Sequence, residues 1–213
     1  MEKTSPKLRT ARFLHRLGIS ANLLTILGLL LAALSGWLIF QAMHFWAALA
    51  LLASGLVDML DGAVARVSGK ANAFGGIFDS SLDRYGDAFV FIGLLFYFMG
   101  EGKPDLAFLS ASAWAGAFEI SYVRARAECE IDSCRVGFWE RGERIGALTL
   151  ALAVHNPAAV VWLLGIGTHW TALQRLVAAS REDHGLRTPS RTDAAYFIKV
   201  VLLVAGLLFI RIP

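Results

Sequence analysis

The chain has 213 residues, of which 56% are hydrophobic and 17% are charged, whereas soluble domains carry about 25% charged residues. This composition excludes a disordered chain and argues against a soluble domain, and two cysteines exclude a disulfide-stabilised scaffold. The formal net charge is only +3, and we expect no nucleic-acid partner. The remaining class is a polytopic membrane protein.

Several apolar segments in the chain approach or reach the length of about 20 residues that a transmembrane helix needs. The six core segments cover approximately residues 22–40, 46–65, 77–99, 106–124, 143–155 and 158–179. Residues 7–18 are expected to form a short amphipathic helix at the membrane interface. The predicted fold is therefore an all-α membrane bundle with six core helices, an N-terminal interfacial helix and an additional C-terminal apolar helix.

The C-terminal part of the sequence has a different character from the rest. Residues 1–181 are predicted to form one membrane domain, followed by a polar linker over residues 182–193. The last part, residues 194–213, is predicted to be an apolar helix. It contains Lys199, so it could span the membrane with its lysine reaching the interface, or lie along the surface.

Most basic residues lie on one side of this six-span arrangement. Lysine and arginine stay in the cytoplasm when they occur in short loops. Seventeen of the 20 fall in the N-terminal segment or near the connections that follow the second, fourth and sixth spans. This distribution predicts an integral protein of the cell membrane whose N-terminus and concentrated charge face the cytoplasm.

Acidic residues interrupt the second and third predicted spans at five positions: Asp58, Asp61, Asp79, Asp83 and Asp87. A charge deep in the bilayer costs about 2.5–3.5 kcal/mol on insertion scales, so these acids need compensating partners. Ion pairs with Arg66 and Arg84 could compensate two of them. A structural ion-pair network is therefore one explanation, but it would leave three acids without a partner.

The spacing of the acids favours a metal site instead. Asp58 and Asp61 are three residues apart on one helix, and Asp79 and Asp83 are four apart on the next, so each pair lies on one helical face. Consecutive antiparallel helices can bring the two faces together. Four oxygen ligands suit Mg²⁺ or Mn²⁺, as one ion or a pair, and such a site usually completes its coordination with substrate phosphates.

The segment between the two acid pairs suits a phosphate-bearing substrate. Arg66 can donate two hydrogen bonds to a phosphate, and glycines 75 and 76 precede a helix start. The whole register reads Asp58-x₂-Asp61-Gly62-x₂-Ala65-Arg66-x₈-Gly75-x₃-Asp79-x₃-Asp83. It resembles the signature of the CDP-alcohol phosphatidyltransferase family at every fixed position. The six-span layout is also similar to that family, over roughly residues 7–181.

This resemblance implies a transferase of phospholipid biosynthesis that takes CDP-diacylglycerol or CDP-archaeol and displaces CMP with an alcohol hydroxyl. It implies that Asp58, Asp61 and Asp79 bind Mg²⁺, and that Asp83 binds a second ion and is the catalytic general base. Five residues would contact the CDP-linked lipid: Asn22, Thr25, Gly62, Arg66 and Asn72. Ala21 stands where the family usually has proline. The resemblance also implies a homodimer.

Arginine-rich strings in the later cytoplasmic connections indicate an acceptor that itself carries a phosphate. The strings S-Y-V-R-A-R-A-E and E-R-G-E-R resemble the branch of the family that uses inositol 1-phosphate. The resemblance implies an acceptor-phosphate pocket lined by Ser121, Arg124, Arg141, Arg144 and Arg175. Anchoring of positive charge in the cytoplasm explains part of the same pattern. Glycerol 3-phosphate, the acceptor of phosphatidylglycerophosphate synthases, stays open because it also presents one phosphate.

Two further interpretations stay open from the sequence. A cation transporter could also place acids within the membrane, although it would not need the Asp-Gly and Ala-Arg elements or arginine clusters on one face. Asp87 lies one turn beyond Asp83 and could either support the metal ligands or pair with Arg84.

Overall fold

The regular structure of the chain is entirely α-helical where it can be described. The computed structural model describes residues 6–69 and 71–183. In these ranges it has seven helices: α1 (Pro6–Arg16), α2 (Ala21–Phe40), α3 (His44–Val67), α4 (Ala73–Gly100), α5 (Pro104–Ala127), α6 (Arg141–Ala153) and α7 (Pro157–Asp183). The all-α prediction is confirmed. The predicted C-terminal helix, over residues 194–213, and most of the predicted linker lie outside the described residues.

Three helices in the described part of the chain are long and apolar enough to cross a membrane. These are α2, α3 and α5, whose most apolar stretches have mean hydropathies of 2.4, 1.6 and 1.2. Large apolar side chains also cover the surface: Leu30, Phe96, Phe108 and Ile166 are each more than half exposed. Such a surface suits contact with lipid tails better than contact with water.

A short helix, α1, lies where the sequence predicts an interfacial helix. Helix α1 buries Ala11 against α2 and α3, where it joins a small cluster with Leu24 and Val64. Its other face leaves Phe13 60% exposed, and Leu17, which directly follows the helix, is exposed to the same extent. An exposed apolar face on a helix rich in lysine and arginine is typical of a helix that lies at a membrane interface.

The start of α4 is fixed by its own sequence. Asn72 caps the helix, because its Oδ1 accepts a hydrogen bond of 2.7 Å from the backbone N–H of Gly75. The preceding turn passes through Gly69 at φ +66°, a backbone conformation that glycine adopts without strain. This short connection leads into α4, which packs mainly against α2 and α5, and it places the acidic residues of α3 and α4 at the same end of the bundle.

Helices α2 and α4 cross at two glycines. A Cβ added at Gly36 would overlap the backbone of Phe89, and one added at Gly93 would overlap the backbone of Gly36. Small residues let helix backbones approach closely in membrane proteins, where packing replaces hydrophobic burial as the main attraction. The crossing therefore sets the distance between the helix that carries Thr25 and the helix that carries Asp79.

The alanine variant of Gly93 tests this close contact. We expect Gly93→Ala to destabilise the protein by about 1–3 kcal/mol, because the added methyl group meets backbone that cannot move aside. The melting temperature in detergent measures the effect. Gly146→Ala is the matched control, since a Cβ there meets nothing within 4 Å. Equal melting temperatures for both variants would contradict the role assigned to the crossing.

Candidate active site

Three of the predicted metal ligands lie together at one end of the bundle. Asp58 and Asp61 from α3 and Asp79 from α4 each offer a carboxylate oxygen, and these oxygens lie within 4.8 Å of one another. In the described ranges, this is the one such group of three or more potential metal ligands. The i,i+3 spacing on α3 and the tight return into α4 produce it, as the sequence pattern indicated.

The carboxylates of this cluster are held by short local contacts. Asp61 is 5% exposed, and its Oδ2 accepts a hydrogen bond of 2.9 Å from the hydroxyl of Thr25. Its Oδ1 accepts a hydrogen bond from the backbone N–H of Gly62. Thr25 therefore orients a carboxylate of the cluster, in addition to lining the neighbouring cavity.

The carboxylate oxygens of the cluster are suitable ligands for a divalent cation. Asp79 Oδ1 is buried and has no hydrogen-bond partner in the part of the chain that the structure describes. A buried carboxylate oxygen without a partner is costly, and three neighbouring carboxylates repel one another unless a cation lies between them. An all-oxygen set of this kind suits hard ions such as Mg²⁺, Mn²⁺ or Ca²⁺.

The fourth predicted ligand, Asp83, is joined to the cluster through an arginine. Arg141 Nη1 lies 2.7 Å from Asp83 Oδ1 and 2.6 Å from Asp58 Oδ1. Asp83 is also 3.8 Å from Arg84 Nη1. Sequence reasoning missed the bridging position of Arg141, because no spacing within α3 and α4 indicates which residue of α6 approaches them.

Asp87 also has a partner that differs from the sequence expectation. Its Oδ2 accepts a hydrogen bond of 2.5 Å from Arg144 Nη2, and its Oδ1 lies 3.7 Å from Arg141 Nε. The carboxylate within ion-pair distance of Arg84 is Asp83, not Asp87. The cations that compensate the acids therefore come mainly from α6, and among the described residues no carboxylate lies within ion-pair distance of Arg66.

A cavity of about 490 Å³ opens on one side of the aspartates, between α1, α2 and the α3–α4 turn. Asp61 and Asp79 line it. So do all five residues predicted to contact the CDP-linked lipid: Asn22, Thr25, Gly62, Arg66 and Asn72. We call it the donor cavity. The guanidinium of Arg66 lies over Gly62, where an added Cβ would be 3.5 Å from Nη1.

A second cavity, of about 400 Å³, lies on the other side of the aspartates, between α4, α5 and the start of α6. Asp83 and Arg84 line it. So do all five residues predicted to bind the acceptor phosphate: Ser121, Arg124, Arg141, Arg144 and Arg175. We call it the acceptor cavity. The structure thus brings together in one place residues as far apart in the sequence as Asp83 and Arg175, which are 92 positions apart.

Two arginines of the acceptor cavity are fixed by the protein itself. Arg175 is 2% exposed, and it donates hydrogen bonds to the carbonyls of Ile120 (2.7 Å) and Val136 (3.0 Å) and to Glu140 (3.2 Å). Arg144 is also 2% exposed, and besides Asp87 it binds the carbonyl of Trp139 at 3.0 Å. These side chains set the shape and positive charge of the wall.

Arg124 is the more accessible cation of the acceptor cavity. Its side chain is 32% exposed and pairs with Glu128 at 3.0 Å on the same helix. Arg126, two residues further along, makes the same i,i+4 pair with Glu130 at 2.8 Å but is 61% exposed and is not among the residues that line the cavity. Both arginines therefore pair with a glutamate four residues further along the helix, but only Arg124 lines the cavity.

A larger and more apolar cavity, of about 780 Å³, lies between α4 and α5. Its lining includes Tyr85, Trp114 and Phe118, and it shares Arg84 with the acceptor cavity and Gly76 with the donor cavity. Sequence reasoning missed it. Its aromatic residues have the composition of an ordinary lipid-facing surface, so the sequence offers no signal for the cavity.

Comparison with known proteins places the chain among enzymes of lipid synthesis. The protein-family model described as CDP-alcohol phosphatidyltransferase matches residues 18–177. The chain is 33% identical over 187 residues to the archaetidylinositol phosphate synthase of Pyrococcus horikoshii, covering 85% of this chain and 97% of that protein. It is 33% identical over 181 residues to the phosphatidylinositol phosphate synthase of Mycobacteroides abscessus, covering 84% and 82%.

The fold is similar to that of a solved enzyme. The crystal structure of Mycobacterium tuberculosis phosphatidylinositol phosphate synthase with CDP-DAG bound matches with a TM-score of 0.75 and 30% identity, covering 82% of this chain and 93% of that one. The same enzyme in complex with manganese and citrate also matches with a TM-score of 0.75, covering 82% and 88%. These matches favour the transferase prediction over the cation-transporter alternative. The chain is an integral membrane enzyme that belongs to the CDP-alcohol phosphatidyltransferase family.

Proposed function

We propose that this enzyme transfers a phosphatidyl or archaetidyl group from a CDP-linked lipid to inositol 1-phosphate and releases CMP. The observation that carries the proposal is that two cavities meet at one group of aspartates. Asp61 and Asp79 line the donor cavity, and Asp83 lines the acceptor cavity. A reaction that joins two substrates needs this arrangement, because both must reach the same reacting atoms.

The aspartates are suited to hold the divalent cations that the family resemblance implies. Asp58, Asp61 and Asp79 would bind one ion, and Asp83 would contribute to a second. We propose Mg²⁺ as the ion, with Mn²⁺ as a substitute. When bound, such ions neutralise the phosphoanhydride and the departing CMP phosphate. The Thr25 hydroxyl orients Asp61 for this role through its hydrogen bond of 2.9 Å.

The side chains of the donor cavity would bind the CDP portion of the lipid. Arg66 can donate to a phosphate, and Gly62 leaves room for its guanidinium over the helix. Asn22, Thr25 and Asn72 supply polar atoms along the same cavity. Asn72 already accepts from the backbone of Gly75, so its amide N–H₂ group is the part that can face the substrate.

Asp83 is placed to act as the general base. The acceptor hydroxyl would attack the phosphorus that carries the lipid, the bond from that phosphorus to the CMP oxygen would break, and the hydroxyl proton would pass to Asp83. The carboxylate lies at the wall of the acceptor cavity, so it can meet a hydroxyl bound there. A general base must first lie within hydrogen-bond reach of the proton that it accepts, and its pKa is the second requirement.

The acceptor cavity supports a phosphorylated alcohol as the second substrate. Arg124 and Arg141 bring accessible positive charge to the wall, and the fixed side chains of Arg144 and Arg175 add to it. Ser121 adds a hydroxyl. Two relatives of this chain are named for inositol phosphate products, which favours inositol 1-phosphate over glycerol 3-phosphate.

The membrane arrangement forms part of the proposal. We propose that α2 to α7 are the six core spans of a membrane domain over residues 1–181, with the N-terminus and both cavities at the cytoplasmic face. Helix α4 has 28 residues, or about 42 Å, which exceeds the hydrocarbon thickness of about 30 Å. Its first turns, with Asp79, can therefore lie at the interface. A homodimer is also proposed, from the family resemblance.

The acceptor is tested by measuring CMP release from purified protein with CDP-diacylglycerol or CDP-archaeol and Mg²⁺. We expect CMP with inositol 1-phosphate and little with glycerol 3-phosphate, because two relatives are named for inositol phosphate products, and little with serine, because serine has no phosphate for the arginines to bind. CMP with glycerol 3-phosphate alone would overturn the acceptor. Folded protein that releases no CMP with any acceptor would contradict the proposed reaction.

The metal site is tested without substrates. Asp79→Asn should lower the affinity for Mn²⁺ by about tenfold or more, because it removes one carboxylate of the cluster. Electron paramagnetic resonance of free and bound Mn²⁺ measures this directly. Asp105→Asn is the control, since Asp105 is exposed in the first turn of α5. If both variants bind Mn²⁺ with the same affinity, Asp79 is not a ligand of the metal.

The acceptor cavity is tested with two neighbouring arginines. Arg124→Ala should raise the KM for inositol 1-phosphate by about 10- to 100-fold, the effect of losing a charge-assisted hydrogen bond. The KM for the CDP-linked lipid should stay nearly unchanged. Arg126→Ala removes the same kind of i,i+4 ion pair outside the cavity, so it should leave both constants near wild type. Equal effects of the two variants would mean that Arg124 does not bind the acceptor.

A further inference from the structure

Asp87 lies outside the aspartate signature, yet it contacts two arginines of the acceptor cavity. Its Oδ2 binds Arg144 Nη2 at 2.5 Å, and its Oδ1 is 3.7 Å from Arg141 Nε. The side chain of Asp87 is only 13% exposed. It is therefore a largely buried carboxylate whose two oxygens face two different cations.

The contact with Arg144 fixes a buried charge. The side chain of Arg144 is 3% exposed, and its Nη1 donates to the carbonyl of Trp139 at 3.0 Å. Among the described residues, Asp87 is the carboxylate within ion-pair distance of this guanidinium. An unpaired buried charge is strongly unfavourable, so Asp87 is what allows a cation to stay at this depth in the cavity wall.

Arg141, unlike Arg144, lies within ion-pair distance of two other aspartates as well as Asp87. Arg141 Nη1 is shared between Asp58 Oδ1 at 2.6 Å and Asp83 Oδ1 at 2.7 Å, whereas its Nε faces Asp87. Nη2 lies over α4, where a Cβ on Gly86 would be 3.6 Å away. An anion in the cavity can compete with Asp58 and Asp83 for Nη1, while the carboxylate of Asp87 stays within ion-pair distance of Nε, at 3.7 Å.

We propose that Asp87 is a positioning residue for the acceptor: it holds Arg141 and Arg144 at the cavity wall so that Arg141 can turn its Nη1 from the aspartates to the acceptor phosphate. This inference rests on the proposed function, because it assigns Asp87 to the same acceptor cavity. Asp87 itself touches neither substrate. Its effect passes through the two guanidinium groups, whose fixed orientation lowers the entropic cost of binding a phosphate.

A purely structural role for Asp87 predicts a different outcome. If the carboxylate served only to neutralise Arg144, its loss would lower stability and reduce the apparent kcat through a smaller folded fraction, and both KM values would stay unchanged. A positioning role predicts a selective effect on the acceptor, because neither Asp87 nor its two arginines line the donor cavity. The two roles are therefore separated by the KM values of the two substrates.

The test compares Asp87→Asn and Asp87→Glu with wild type. For Asp87→Asn, we expect the KM for inositol 1-phosphate to rise by about tenfold or more. The KM for the CDP-linked lipid and the Mn²⁺ affinity should stay within about twofold of wild type. Asp87→Glu keeps the charge that Arg144 needs, so it should fold normally and recover part of the acceptor affinity. Glu130→Gln, which breaks the exposed pair with Arg126, is the control and should change neither KM.

Different outcomes identify which statement fails. Wild-type protein that releases no CMP with inositol 1-phosphate would contradict the proposed function. Active wild-type protein together with an Asp87→Asn variant whose acceptor KM is unchanged, or whose two KM values rise in equal proportion, would overturn the role of Asp87 alone. If Asp87→Asn fails to fold, Asp87→Glu decides: an acceptor KM equal to wild type would also overturn that role.

Discussion

The balance between buried carboxylates and cations is the constraint on which the site depends. Five aspartates of α3 and α4 lie at one end of an apolar bundle, where a charge without a partner is unfavourable. The structure compensates three of them, Asp58, Asp83 and Asp87, with guanidinium groups from the first turn of α6. Among the residues that the structure describes, Asp79 Oδ1 is buried and has no hydrogen-bond partner. The arrangement therefore ties α6 to α3 and α4, and it also leaves an uncompensated group of carboxylates where a cation is needed.

The position of α6 in turn depends on a buried arginine from the last helix. Arg175 binds the carbonyl of Ile120 on α5, the carbonyl of Val136 in the connection and the side chain of Glu140, which caps α6. One guanidinium group thus fixes three segments relative to α7. Because Arg141 follows Glu140 directly, this contact sets where the bridging arginine enters the site. Arg175, which was predicted from the sequence to bind the acceptor phosphate, thus also holds the wall of the acceptor cavity in place.

The two cavities differ in how they are built, and this difference matches their proposed substrates. The donor cavity is formed by segments close in sequence, from α1 to the start of α4, and its polar groups come from helix caps and small residues. The acceptor cavity combines α4, α5, α6 and α7 and is lined by five arginines, whereas one arginine lines the donor cavity. Under the proposed function, the nucleotide-linked lipid would meet a continuous local motif, whereas the acceptor would meet side chains that distant parts of the chain contribute.

The sequence by itself determined the helical membrane class and the acidic signature, and it singled out five of the residues that line each cavity. Helical periodicity places Asp58 with Asp61 and Asp79 with Asp83, so local spacing is enough to predict which carboxylates can share a site. The division of the chain after residue 181 stays a prediction. Only the tertiary structure decided that Arg141 lies between Asp58 and Asp83, that Asp87 pairs with Arg144 and not with Arg84, and that Arg144 and Arg175 are bound to backbone carbonyls. These contacts join helices that are far apart in the sequence, and their geometry depends on how closely the helices pack, as at Gly36 and Gly93.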